Sequence, residues 1–138
     1  MDFNKTVRKV LLVALLTCST FCMAQKQDLS RLITAIATVE SNLNEKAVSR
    51  DCVGYLQIRP CLVQECNNIL KKQNSTKRYT LNDRFSKVKS IEMFYIIQDK
   101  FNPTYDIERA ICIWNAGAYS KKKPMGYLRK VMAEYNKL

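Results

Sequence analysis

The chain has 138 residues, with 23 Lys and Arg against 12 Asp and Glu and no His, which gives a formal net charge of +11 at pH 7. Without His, a Ser-His-Asp triad, a Cys-His peptidase and a His-ligated zinc hydrolase are all excluded. That exclusion is the strongest statement that the composition makes about function.

Residues 1–24 have the pattern of a secretory signal peptide. Positive residues precede an apolar run, Val10 to Leu16, that is too short to span a bilayer, and Cys22-Met23-Ala24 approximates a small-x-Ala cleavage site. Lipid attachment at Cys18 or Cys22 and an uncleaved anchor are the alternatives, and the residues before both cysteines fit a lipoprotein signal poorly. We therefore expect an exported chain, periplasmic or extracellular.

Residues 25–138 are long enough for one compact domain and too short for two. Residues 1–24 contain three of the 23 basic and one of the 12 acidic residues, so this domain keeps a net charge of about +9. Such a charge favours a polyanionic partner, which can be nucleic acid, anionic lipid or an acidic wall polymer. Export makes nucleic acid the weakest of the three, and we expect none.

The first predicted helix runs from an N-cap at Asp28 to about Asn42 and has one carboxylate, Glu40, on its apolar side. The apolar positions with helical spacing are Leu29, Leu32, Ile33, Ile36 and Val39. Glu40 follows Ile36 by four residues and therefore points the same way. Burial and the nearby helix C-terminus both raise the pKa of such a carboxyl. A Glu kept protonated near neutral pH can act as a general acid, whereas one solvated at the helix edge would not.

A polar loop, Leu43 to Asp51, then leads to the short apolar segment Gly54 to Ile58, inside which Gln57 is the one amide. Pro60 suits the first turn of a second helix that ends near Lys72.

Three further helices follow in the pattern. One is capped by Asn82 or Asp83 and ends at Asn102-Pro103, and the next is capped by Thr104 and stops at Gly117. The last runs from about Met125 to Asn136. No period-2 run is long enough for a strand, so the fold class is mainly α.

Four cysteines lie in residues 25–138, and none forms a C-x-x-C pair, so we expect no metal site and no cofactor. We predict a disulfide from Cys52 to Cys61 or Cys66, with Cys112 buried as a small apolar residue.

Three short motifs occur in a particular order: Glu40-Ser41, then Gly54-Tyr55-Leu56-Gln57-Ile58, then Trp114-Asn115-Ala116-Gly117. This order and spacing resemble the soluble lytic transglycosylases, a lysozyme-like family with the motifs Glu-Ser, Gly-Leu-Met-Gln and Ala-Tyr-Asn-Ala-Gly and a Tyr in the last helix. The resemblance implies a single lysozyme-like domain with an active-site cleft.

The resemblance also implies residue roles. Glu40 matches the single catalytic acid/base, Ser41 a residue that positions the reacting groups, and Gln57 a cleft amide that contacts the glycan. The other residues implied in substrate binding are Gly54, Tyr55, Leu56, Trp114, Asn115, Ala116 and Tyr127. Departures from the motifs are Tyr55 and Leu56, which replace Leu and Met, and Trp114, which replaces Tyr and so lacks the phenolic hydroxyl. As purely structural alternatives, Gln57 would satisfy a buried backbone group, Trp114 would fill the core, and Ser41 would cap the helix end.

The implied reaction cuts the MurNAc-β-1,4-GlcNAc bond of peptidoglycan and closes a 1,6-anhydro ring with one carboxylate. The alternatives are a muramidase like the goose-type lysozymes, with Asp51 or Asp83 as second carboxylate, and an inactive wall-binding module. The expected partners are peptidoglycan glycan strands, with the chain a monomer. Whether it serves a secretion, conjugation or phage-entry machinery stays open.

Overall fold

The computed structural model describes residues 29–138, so the predicted signal peptide and the Asp28 cap lie outside the described residues. Within them the helices are α1 (residues 29–41), α2 (Pro60–Lys72), α3 (Lys87–Phe101), α4 (Ile107–Ala116) and α5 (Met125–Tyr135), with a 3-10 helix at Leu81–Phe85. The prediction of a mainly α domain is confirmed. No helix in this range combines the length and apolar character needed to cross a membrane.

Helix α1 is buried on most sides. Leu29, Leu32 and Ile36 are fully buried, as the helical spacing predicted, and Ala35 and Ala37 are buried beside them. The largest fully buried side chain, Phe94 of α3, belongs to the same core. Removing each large apolar side chain from water contributes about 1.5 to 3 kcal/mol, so this packing fixes where the end of α1 points.

A short antiparallel hairpin follows α1. Its strands are β1 (Val48–Ser49) and β2 (Cys52–Val53), with Val48 opposite Val53 and Ser49 opposite Cys52. The sequence did not indicate these strands, because strands of two residues are shorter than any alternation that a sequence can display.

Arg84, in the 3-10 helix, holds this hairpin in place. Its buried guanidinium donates from Nη1 to the carbonyl oxygens of Asp51 (2.9 Å) and Ile58 (3.1 Å), which lie on either side of the Gly54 loop. Gly54 has a φ of +80°, and an added Cβ would lie 1.9 Å from the Arg84 carbonyl oxygen. Only glycine allows the two backbones to approach so closely.

Two of the predicted helix caps were wrong. Helix α3 is capped by Ser86, whose hydroxyl accepts from the Lys89 amide, whereas Asp83 belongs to a capping box that starts the 3-10 helix. Helix α4 is capped by Asp106, whose carboxylate accepts from the Arg109 amide at 2.7 Å, and Thr104 precedes that turn. Asp is the stronger cap because its ionised oxygen also interacts with the helix dipole.

The predicted stop at Gly117 is confirmed. It follows α4 with a φ of +90° and donates its amide to the Ile113 carbonyl.

Candidate active site

Glu40 lies in the last turn of α1, one residue before the helix ends. Asn42 and Leu43 then take left-handed backbone conformations, and the Leu43 amide donates back to the Ala37 carbonyl at 3.2 Å. The left-handed pair stops the helix directly after Ser41. The carboxylate is therefore held on a rigid, buried helix while one side of it faces an open cleft.

Tyr127, from α5, donates its hydroxyl to Glu40 Oε1 at 2.6 Å. Among the described residues, Oε2 has no hydrogen-bond partner. A neutral Glu40 therefore accepts at Oε1 and carries its proton on Oε2, the oxygen that is available to a substrate.

The surroundings raise the pKa of Glu40 above its ordinary value. Burial is the largest cause, and it is opposed by the hydrogen bond from Tyr127 and by the positive charge of Arg59. The pKa of Tyr127 is raised well above the ordinary range, first by burial and then by the charge of Glu40, so the phenol stays protonated and remains a donor. This combination keeps an acid protonated closer to neutral pH and stabilises the carboxylate when it forms.

Ser41 ties the end of α1 to the loop after the hairpin. Its hydroxyl lies 2.8 Å from the Tyr55 carbonyl oxygen and 3.2 Å from the Ala37 carbonyl oxygen. It is not among the residues that line the cleft. The contact fixes the distance between the Glu40 turn and the Gln57 loop.

Gln57 sits in the cleft wall with a φ of +51°. Its Nε2 donates to the carbonyl oxygens of Gly54 (3.1 Å) and Ala47 (3.3 Å), which fold the loop around the amide. Its Oε1 has no partner among the described residues. The Nε2 of Gln57 therefore hydrogen-bonds to the loop backbone, and its Oε1 remains available as a hydrogen-bond acceptor.

The motif residues between Gly54 and Gln57 lie beneath the cleft surface. Leu56 is 0 % exposed and Tyr55 is 4 % exposed, and neither lines the cleft. The Lys87 ammonium lies over the Tyr55 ring, with its nitrogen 4.9 Å from the ring centroid. Leu56 offers its backbone instead, because its carbonyl oxygen accepts from Trp114 Nε1 at 3.3 Å.

The opposite wall is formed by the end of α4. Trp114 packs on Phe94 with ring centroids 5.0 Å apart and contributes part of its surface to the cleft, and Asn115, Ala116 and Gly117 line it as well. Asn115 is exposed. The cleft has a volume of about 440 Å³ and therefore falls within the usual range for small-molecule sites.

Two charged cleft residues were missed by the sequence analysis. Glu65 and Arg59 both line the cavity, Arg59 from the N-cap of α2 and Glu65 from its second turn. The position of Glu65, three residues after Leu62 on the apolar side of α2, was the available signal. By contrast, Asp51 and Asp83 do not line the cleft, and Asp83 is ion-paired with Lys89 at 2.6 Å, which lowers its pKa.

The predicted disulfide is not formed in this structure, in which the four cysteines of the described residues are free thiols. Cys52 and Cys61 both line the cleft, whereas Cys66 is fully buried, donates to the Met93 carbonyl, and has its pKa raised to about 12 by burial. Within residues 29–138, no three acidic or Cys side chains are placed to hold a metal ion.

Comparisons with curated proteins and with solved structures find no match. A protein-family model described as the transglycosylase SLT domain matches residues 17–136, which is most of the chain. Since this match covers more than half of the chain, the chain that places Glu40, Gln57 and Asn115 around one cleft is a member of the transglycosylase SLT domain family.

Proposed function

We propose that this protein cleaves the glycan strands of peptidoglycan as a lytic transglycosylase, with Glu40 as its single general acid/base. Membership of the SLT family supports lytic transglycosylase activity on peptidoglycan. The observation that carries the residue assignment is the raised pKa of Glu40 in the cleft, with Tyr127 on one oxygen and the other oxygen open.

The proposed reaction needs no second carboxylate. Glu40 Oε2 gives its proton to the glycosidic oxygen of the MurNAc-β-1,4-GlcNAc bond, and the bond from that oxygen to C1 of MurNAc breaks. The resulting carboxylate, stabilised by Tyr127, takes the proton from the C6 hydroxyl of the same MurNAc as its oxygen bonds to C1. The product is a 1,6-anhydro sugar, and the proton is returned to Glu40. Intramolecular ring closure benefits from the high effective molarity of a positioned hydroxyl.

The other cleft groups suit sugar binding. Gln57 Oε1 and the Asn115 amide offer hydrogen bonds to hydroxyl and acetamido groups, and the exposed part of Trp114 offers an apolar face to a sugar ring. Ser41, Gly54, Tyr55 and Leu56 act through the shape of the loop, since Ser41 hydrogen-bonds to the loop backbone and the other three are buried residues of the loop itself.

Glu65 supports a second candidate, hydrolysis by water as in a muramidase, because it places another carboxylate in the same cleft. If Glu65 activates water, Glu65→Gln abolishes cleavage. If the reaction is a transglycosylation, this variant keeps cleaving, because no base other than Glu40 takes part.

The test is digestion of purified peptidoglycan followed by mass spectrometry. Anhydro-muropeptides, lighter by one water and without a reducing end, indicate the transglycosylase, and reducing muropeptides indicate the hydrolase. Glu40→Gln should reduce the rate at least about a hundredfold while the fold is retained. Release of neither product from several wall types would favour a wall-binding module instead.

We further propose that the chain is exported, with residues 25–138 as its domain.

We also propose that Cys52 forms a disulfide with Cys61 in the exported protein. Both thiols line one cleft, whereas Cys66 is fully buried in the core. A loop of this length stabilises a fold by roughly 2 to 3 kcal/mol when closed. Non-reducing peptide mapping of exported protein should recover the Cys52–Cys61 peptide, and four alkylatable thiols would contradict the proposal.

A further inference from the structure

A second cavity adjoins the cleft and is strongly basic. It is lined by Lys71 and Lys72 at the end of α2, by Lys100 in the last turn of α3, and by the neutral side chains of Asn68 and Gln73. We call these five residues, with Ile69, the basic pocket. Its volume of about 600 Å³ lies within the usual range for ligand pockets.

The basic pocket adjoins the cleft. Glu65 and Tyr119 line both cavities, so a ligand in one lies next to the other. Tyr119 stands at the junction with 82 % of its surface exposed and rests edge-on against Phe101, with ring centroids 5.4 Å apart. An exposed aromatic ring held in this way is a surface on which a sugar ring or an apolar peptide group can pack.

The lysines of the pocket have no carboxylate neighbour within ion-pair distance among residues 29–138. Elsewhere in that range Lys77, Lys89, Lys123 and Lys137 are each ion-paired with an acidic side chain, whereas five further lysines are not: Lys46, Lys87, Lys121, Lys122 and Lys130. What distinguishes the pocket lysines is that they line one cavity together. Three unpaired cations here share one cavity with a single carboxylate, Glu65. Mutual repulsion between neighbouring cations makes an anionic ligand favourable at this position.

We propose that the basic pocket binds the carboxylates of a peptidoglycan stem peptide while the glycan strand that bears this peptide lies in the cleft. The inference rests on the proposed function for the identity of the glycan. The stem peptide is a short chain attached to MurNAc that carries several carboxylates, so it matches the pocket in charge, and its attachment to the glycan places it beside a strand bound in the adjoining cleft. The pocket thereby selects strands that still carry their peptides.

The test measures binding to the Glu40→Gln chain, which leaves the ligand intact, by the fluorescence of Trp114, the single Trp of the protein and a residue of the cleft wall. The ligands are soluble glycan fragments with stem peptides, in two forms: with free carboxylates, and with the carboxylates converted to carboxamides. The pocket variant adds Lys71→Gln, Lys72→Gln and Lys100→Gln. The matched control adds Lys46→Gln, Lys121→Gln and Lys130→Gln, which remove the same charge outside both cavities.

The pocket variant should raise the dissociation constant for the carboxylate form roughly tenfold, since each exposed ion pair contributes only modestly, and should leave that for the carboxamide form unchanged. The control should keep the preference for carboxylates. Equal affinity of the Glu40→Gln chain for both forms would overturn the proposal, and so would an equal loss in pocket variant and control. Because binding is measured without cleavage, absence of product from wild type would reject the proposed function and leave this result intact.

Discussion

At the scale of single residues, the buried carboxylate of Glu40 lowers the stability of the fold, although the same burial suits a general acid. Burial raises its pKa above the ordinary value of 4.5, so the folded state binds a proton that the unfolded state releases. The free energy of unfolding therefore falls as the pH rises from about 4.5 through the raised pKa, and the cost of the buried charge is complete above it. Glu40→Gln should accordingly melt at a higher temperature than wild type at neutral pH, with the difference disappearing in acid.

The control for this experiment is Glu108→Gln, which removes an exposed carboxylate that is ion-paired with Lys123. An exposed pair contributes little, so this variant should melt close to wild type. A Glu40→Gln chain that is no more stable than wild type at pH 7 would mean that the carboxylate is solvated.

Tyr127 affects the pKa of Glu40 in the opposite direction to burial. Its hydrogen bond lowers the pKa of Glu40, so Tyr127→Phe should raise that pKa and move the alkaline limb of the activity profile to higher pH. The rate at the optimum should fall by roughly tenfold, because the carboxylate formed during reaction loses its donor. Tyr135→Phe, also in α5, is the matched control, since the Tyr135 ring contacts the Arg31 guanidinium and not Glu40. A profile unchanged by Tyr127→Phe would remove Tyr127 from the proton chemistry.

At the scale of elements, the loop that carries Gln57 depends on Gly54. A methyl group there would meet the Arg84 carbonyl oxygen at 1.9 Å, and the φ of +80° disfavours any side chain. Gly54→Ala should lower the free energy of unfolding by at least about 2 kcal/mol. Gly126→Ala, in α5, has nothing within 4 Å of the new methyl and should be neutral or stabilise by up to about 1 kcal/mol. Chemical denaturation of both variants checks the pair, and equal stabilities would contradict the close approach at Gly54.

How far the elements could be predicted depended on whether their signals are local. The five helices follow from apolar spacing, and Gly117 as a stop follows from its own conformational freedom. The hairpin is held by Arg84, which lies 26 to 33 residues further along the sequence than the carbonyl groups it contacts, and no local sequence pattern predicts such a contact. Two helix caps were misassigned for a different reason: Asn82 and Asp83 near Ser86, and Thr104 near Asp106, also belong to residue types that cap helices, so residue type alone does not identify the helix start.

Some features of the candidate site could also be predicted from local sequence signals, and others could not. The apolar face of α1 predicted that Glu40 would point inward, and the order of the motifs predicted which loops to bring towards it. Burial of Tyr55 and Leu56 could not be predicted, because it depends on how their loop packs in the folded chain, where the Leu56 carbonyl oxygen accepts from Trp114 of α4. The spacing after Leu62 places Glu65 on the apolar side of α2, but it does not indicate that this side borders the cleft. A motif identifies a loop, and only the packing decides which of its atoms face the substrate.

At the scale of the whole molecule, basic residues exceed acidic residues by 11, and because each ion pair joins one charge of either sign, ion pairing leaves this excess unchanged. Binding to intact sacculi should therefore weaken as salt rises from low to physiological concentration, since the Debye length shrinks to about 8 Å. A pull-down of the Glu40→Gln chain over a salt series measures this.

The two triple lysine variants distinguish the effect of the total charge of the protein from the effect of the lysines in the basic pocket. Each removes three charges, and long-range attraction depends on total charge, so both should reduce the salt dependence of sacculus binding to the same extent. Only the pocket variant should also lose the preference for free carboxylates, because that preference requires cations next to the cleft. Salt-independent binding by wild type would contradict the role of net charge. A pocket variant whose salt dependence falls much further than that of the control would show instead that the basic pocket accounts for most of the attraction to the wall.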